Sequence, residues 1–138
     1  MVVLLLSGCS QKAAFEELAN GACSSEQAQL VDAHISAQID AMAQQDWKLA
    51  YSFASPEFRS GVDIEDFIFI ISTQYGMLLD NQGYAFNACT IADEKITQEV
   101  AINTDSEVFN LYYTLSVTGG VLGVDSSSSN LTENKLEA

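Results

Sequence analysis

Val31, Ile35, Ile39 and Met42 recur at intervals of four, four and three, which sets them on one stripe of a helix. The spacing predicts an amphipathic helix over about residues 25–44, with Ser24 and Gln27 at capping-box separation in front of it. Alanines at 28, 33, 37, 41 and 43 favour that helix, and Asp32, Gln38 and Gln44 are available for its wet side. Asp46 is a good N-cap for a second helix carrying Trp47, Ala50, Tyr51 and Ala54. Pro56 is expected to end it, because the residue before a proline is pushed out of helical geometry. Asp63 can cap a third helix, in which Ile64, Phe67, Ile68 and Ile71 keep helical spacing. The run Phe67-Ile68-Phe69-Ile70-Ile71 also has strand propensity. Glu65-Asp66 before it and Ser72-Thr73-Gln74 after it prolong the 3.6-residue period, so helix is the reading adopted.

After the turn Asn81-Gln82-Gly83 the period changes to two. Residues 84–92 predict a strand, and Ile96, Gln98, Val100 and Ile102 share one face of the next. Phe109, Leu111, Tyr113, Leu115 and Val117 line one side of a long third strand, with Asn110, Tyr112, Thr114 and Ser116 opposite. Gly119-Gly120 closes a hairpin onto a short last strand, Val121 to Val124. Helices followed by an antiparallel meander predict an α+β fold, N-terminal helices packed on a curved, cone-like sheet of about four strands. The domain is expected over residues 25–125, behind a tether at 10–24 in which Phe15 and Leu18 are spaced for a short helix. Four consecutive serines at 126–129 open a polar end, 126–138, that reads as a disordered tail.

The 138 residues suffice for one domain with a real core, and 48% hydrophobic content argues against wholesale disorder. Nineteen acids against five bases, a net charge of −14, repel nucleic acid and anionic headgroups, so no nucleic-acid partner is expected. The acids are scattered and form no D-x-D-x-D-G loop, and no cofactor or metal is expected. Leu6-Ser7-Gly8-Cys9 resembles the lipobox of bacterial lipoprotein signal peptides. The resemblance implies that Cys9 carries diacylglycerol and anchors the domain to a membrane of the cell envelope, outside the cytoplasm. Residues 1–9, with a short apolar run and no basic residue, read as the truncated end of such a signal.

Gln38-Ile39-Asp40-Ala41, Asp46-Trp47, Ala50-Tyr51-Ser52-Phe53-Ala54-Ser55-Pro56, Phe58-Arg59, Phe67 and Tyr75-Gly76 follow one another in that order. Together they resemble a bacterial domain of unknown function of the nuclear transport factor 2-like (cystatin-like cone) superfamily, over roughly residues 28–118. The resemblance implies a long helix cradled by a curled sheet, with a cavity at the mouth of the cone. Members usually carry a tryptophan on the strand after the Gly-Gly hairpin; this chain has Val121-Leu122-Gly123-Val124-Asp125 there.

The candidate chemistry is sparse. His34 is the single histidine; it serves either as a weak candidate base in the cone or as a boundary ring packed at the helix–sheet seam. Tyr51, Tyr75, Tyr84, Tyr112 and Tyr113 offer hydroxyls either to a ligand in the cavity or to the edge of the core, and Tyr51, Tyr75 and Tyr112, with Arg59, are the ones taken as cavity lining. Arg59 either binds a carboxylate ligand or pairs with Glu57, Asp63 or Glu65. Cys23 and Cys89 form either a disulfide or separate thiols, one of them buried. No nucleophile, metalloprotease, phosphate-loop or dinucleotide motif is present. The sequence therefore predicts a membrane-anchored binding or interaction domain, with a small molecule as the candidate ligand. The alternatives are a cavity enzyme doing proton transfer, or a structural homodimer.

Overall fold

The computed structural model describes residues 12–129. Cys9 with the lipobox, and the chain from Asn130 onward, lie outside the described residues.

Helix α1 (Ser25–Ala43) begins as its sequence dictates. The Ser24 Oγ accepts from the Gln27 amide at 3.1 Å, and the Gln27 Oε1 accepts from the Ser24 amide at 2.8 Å. Val31, Ile35 and Ile39 are fully buried, so the four-four-three stripe is the face laid on the sheet. Helix α2 (Trp47–Ser52) starts at Asp46, whose carboxylate accepts from the Leu49 amide at 3.3 Å.

Proline 56 does not end this helix. The chain leaves helical hydrogen bonding at Ser52, and Pro56 instead opens a further helix, α3 (Pro56–Gly61). Its missing N–H costs nothing in the first turn. Ser55 caps α3 by accepting from the Phe58 amide at 3.1 Å. Helix α4 (Ile64–Gln74), capped by Asp63, and the short α5 (Gly76–Leu79) follow in the helical layer. The apolar run at 67–71 is thus helical, burying Phe67 and Ile71 while leaving Phe69 exposed.

Among the described residues the sheet is an antiparallel meander of five strands in sequence order. These are β1 (Gly21–Ala22), β2 (Tyr84–Ala92), β3 (Lys95–Asn103), β4 (Val108–Thr118) and β5 (Val121–Ser128). The helices pack on one face of this open sheet, which makes the fold α+β and cone-like, with five strands rather than about four.

The extra strand falls where a tether was expected. Gly21 and Ala22 pair with Ile91 and Thr90, and Phe15 is 4% exposed within the core. The Gln27 Nε2 donates to the Ala14 carbonyl at 2.9 Å, tying this entry segment to α1. Cys23 and Cys89 are joined by a disulfide across a Cα–Cα distance of 5.5 Å. The far end differs too: β5 continues through Ser128, so residues 126–128 belong to the sheet and not to a tail.

Two bulges decide which side chains face the helices. In β2, Phe86 pairs with Val100 and Cys89 with Gln98, so Asn87 and Ala88 stand against Glu99 alone. The extra residue shifts the alternation by one. Cys89 and Ile91 then share the inner face with Tyr84 and Phe86, and Cys89 reaches Cys23. The buried Gln98 amide donates to the Asn87, Ala88 and Glu99 carbonyls at 3.2, 3.3 and 2.9 Å, satisfying groups the bulge displaces. In β5, Thr114 pairs with Ser126 and Leu115 with Val124, leaving Asp125 as the extra residue. That second shift sets Ser127 opposite Tyr113 on the inner face.

Candidate functional site

A cavity of about 180 Å³ lies between the helical layer and the β4–β5 end of the sheet. Helix α1 contributes Gln38 and Met42, α3 Phe58, and α4 Phe67, Ile70 and Ile71. Tyr75 and Leu78 close one side; Tyr113, Val124 and Ser127 come from the strands. The wall is mainly apolar because it is made of residues whose periodicity already turned them toward the core.

Several polar side chains interrupt it, and three of them carry a buried oxygen without a partner among the described residues. Gln38, 2% exposed, donates its Nε2 to the Ala50 carbonyl at 3.1 Å. That bond fixes which end of the amide carries the oxygen, since the reverse orientation would set two acceptors against each other. The Gln38 Oε1 is then a buried acceptor with no hydrogen-bond partner among the described residues. Tyr113, also 2% exposed, carries a hydroxyl in the same condition, and so does the Ser127 Oγ. Burial raises the Tyr113 pKa far above the usual phenol range, with smaller contributions from Tyr75 and Tyr84, so the group is a neutral hydroxyl. The Tyr75 hydroxyl donates to the Ser127 carbonyl at 2.8 Å and holds the end of β5 over the cavity.

One charged residue lines this space, Asp125, and its carboxylate is engaged by the Lys95 ammonium at 3.1 Å and the Ser116 hydroxyl at 3.0 Å.

Of the four residues expected to line a cavity, Tyr75 alone does so. Tyr51 donates its hydroxyl to the Val62 carbonyl at 2.6 Å and lies within reach of the Arg59 carbonyl at 3.2 Å, pinning α2 to α3. Arg59 makes no ion pair with Glu57, Asp63 or Glu65; its Nη1 donates to the Ser52 and Ala54 carbonyls at 3.0 and 2.9 Å. Those carbonyls are left over at the end of α2, and the guanidinium caps them. Tyr112 lies on the opposite face of β4 from Tyr113.

His34 is not among the cavity residues either. Its Nε2 lies 2.9 Å from the Phe53 carbonyl, and its ring meets the Phe53 ring edge-on at 5.1 Å. The contact needs the proton on Nε2. Burial lowers the His34 pKa, and the hydrogen bond to Phe53 offsets only part of that.

Residues 24–120 match the family model of DUF4864, a domain of unknown function. The chain belongs to that family. No curated protein and no solved structure matches it. The DUF4864 match runs from the N-cap of α1 through the hairpin after β4 and stops before β5. The strand that brings Val124 and Ser127 to the cavity therefore lies beyond the matched span.

Gln38, expected on the wet side of its helix, and Ser127, expected in a tail, are not site residues in the sequence reading, and Tyr113 is there only one of five candidate tyrosines. The signal for Tyr113 was available: it is in phase with Leu111 and Leu115, so a polar tip had to end inside. Ser127 gave no such signal, because its direction depends on the bulge at Asp125.

Proposed function

We propose that this chain is a lipid-anchored protein of the cell envelope whose DUF4864 domain is a binding module, holding a small molecule in the cavity beneath α1 and α4. The observation that carries the reading is the pair Gln38 and Tyr113. Each is almost wholly buried, lines an apolar cavity and bears an oxygen with no partner within the described protein. An unpaired polar group in such a place costs roughly 1–3 kcal/mol, which a ligand completing its hydrogen bonds would recover.

Binding is favoured over catalysis by what the cavity wall offers. The Tyr113 phenol stays protonated, the lining carboxylate of Asp125 is ion-paired, and the single histidine is committed to a backbone carbonyl elsewhere. Leu6-Ser7-Gly8-Cys9 supports the anchor, and a disulfide is in keeping with an oxidising compartment. Helices laid on a meander with a cavity between them support kinship with the nuclear transport factor 2-like cone.

Native mass spectrometry of the protein extracted from its own membrane tests both halves. The expected spectrum has diacylglycerol on Cys9 and a non-covalent small-molecule adduct on the folded chain. A bare chain still beginning at Met1 refutes the anchor. A lipidated chain that carries no adduct and takes none up from a cell extract refutes the binding role.

A further inference from the structure

Resting on that reading, we infer the chemical class of the ligand: a single-ring-sized, uncharged molecule with a hydroxyl or primary amide at one end of an apolar body. Volume sets the size. The cavity, about 180 Å³, is slightly larger than an apolar cavity of ~150 Å³ that takes up benzene, which leaves room for one ring and a small substituent.

Hydrogen-bonding capacity sets the polar end. The Gln38 Oε1 can only accept, so the ligand must donate to it. The hydroxyls of Tyr113 and Ser127 each also hold a proton with no acceptor among the described residues, so a ligand that offers an oxygen lone pair as well satisfies them. Register puts Tyr113 and Ser127 directly opposite each other on β4 and β5, so one small polar group can meet both. A hydroxyl or primary amide supplies donor and acceptor together; an ether or a ketone leaves Gln38 unpaired.

Charge is excluded by what surrounds these oxygens. A carboxylate would sit against the Gln38 carbonyl oxygen with no cation on the wall, and its desolvation would go uncompensated. An ammonium would find acceptors but no free carboxylate, because Asp125 is already held by Lys95. Phe58, Phe67, Ile71 and Leu78 receive the apolar body.

The test is calorimetric titration of the intact, disulfide-bonded chain with four ring-sized probes: phenol, benzene, benzoate and benzylammonium. Phenol is expected to bind about tenfold more tightly than benzene, the worth of a single well-made hydrogen bond. The two ions are expected not to bind. Tyr113→Phe and Ser127→Ala should each bring phenol toward the benzene value without altering benzene itself. Tyr112→Phe, on the other face of β4, should change neither. Tighter binding of benzoate or benzylammonium, or phenol no better than benzene, overturns the ligand class while leaving the cavity a binding site. No binding by any of the four overturns the cavity reading itself.

Discussion

A β-carbon on Gly123 would lie 2.5 Å from the Cα of Ser55. No neighbouring side chain can rotate to relieve that approach, since the atom in the way is backbone. It arises because residues 53–55 run alongside β5 as a short parallel companion. The Ser55 amide donates to the Val124 carbonyl at 2.9 Å, and the Val124 amide to the Phe53 carbonyl at 3.0 Å. The stretch between α2 and α3 thus covers the outer edge of the last strand, which would otherwise present unpaired backbone groups.

Gly123→Ala should therefore destabilise the domain by ~1–3 kcal/mol, the usual range for forcing a methyl into a packed site. Urea unfolding measures it. Gly61→Ala is the control: nothing lies within 4 Å of a β-carbon there, and the position ends a helix. It should be neutral or slightly stabilising. Equal effects at the two glycines would show that the 53–55 stretch does not hold β5.

Arg59 acts on the same stretch from the other side. With both its contacts on backbone carbonyls, its contribution is hydrogen bonding and not ion pairing. Arg59→Ala should lower stability by about 1–3 kcal/mol, the range for bonds made by a charged donor. The loss should be nearly the same at low and high salt. A loss that salt abolishes would indicate an ion pair instead.

The helical layer was largely legible in the sequence because its signals are local. Ser24 with Gln27 marks the start of α1, and the stripe Val31, Ile35, Ile39 carries its own period. Proline 56 misled for the opposite reason: a proline closes one helix or opens the next, and the sequence shows only that a boundary is near. The site was less legible than the fold. Which of Tyr112 and Tyr113 faces inward follows from alternation alone, but Cys89 and Ser127 each sit beyond a bulge that reverses alternation. Bulges are made by long-range pairing, and no short stretch announces them. The polar lining of the cavity depends on those registers.

The disulfide fastens the entry segment. Cys23 and Cys89 are 66 residues apart, and closing a loop of that length restricts the unfolded chain by about 4 kcal/mol in the chain-entropy model. The double variant Cys23→Ser, Cys89→Ser should lose most of that in urea unfolding. Reductant should shift the native protein to match and leave the variant unmoved. β1, held by only two residues beside the bridge, should lose its hydrogen-exchange protection first.

Histidine 34 supplies a pH dependence of definite sign. Its pKa is lowered in the folded state from an ordinary 6.5, so between that value and the folded one the unfolded chain binds more protons. Stability is then complete above about pH 6.5 and falls as the pH drops toward the folded pKa. His34→Gln, which keeps a donor for the Phe53 carbonyl, should flatten this part of the profile. Stability unchanged between pH 7 and 5.5 in the native protein would contradict the assignment.

In the absence of any ligand, Tyr113 weakens the fold it sits in. Its hydroxyl is buried without a partner among the described residues, while its ring packs in a core that includes Leu111 and Leu115. Tyr113→Phe keeps the ring and deletes the unpaired group, so it should raise the unfolding free energy, by about 1 kcal/mol or more. A hydroxyl there for structure alone would give the reverse, since removing a satisfied bond is destabilising. Stability gained together with affinity lost is the mark of a residue retained for binding at a cost to the fold. Denaturation of the ligand-free Tyr113→Phe variant and its titration with phenol should therefore move in opposite directions. If both fall together, the hydroxyl belongs to the core and the polar end of the ligand must be sought at Gln38 and Ser127.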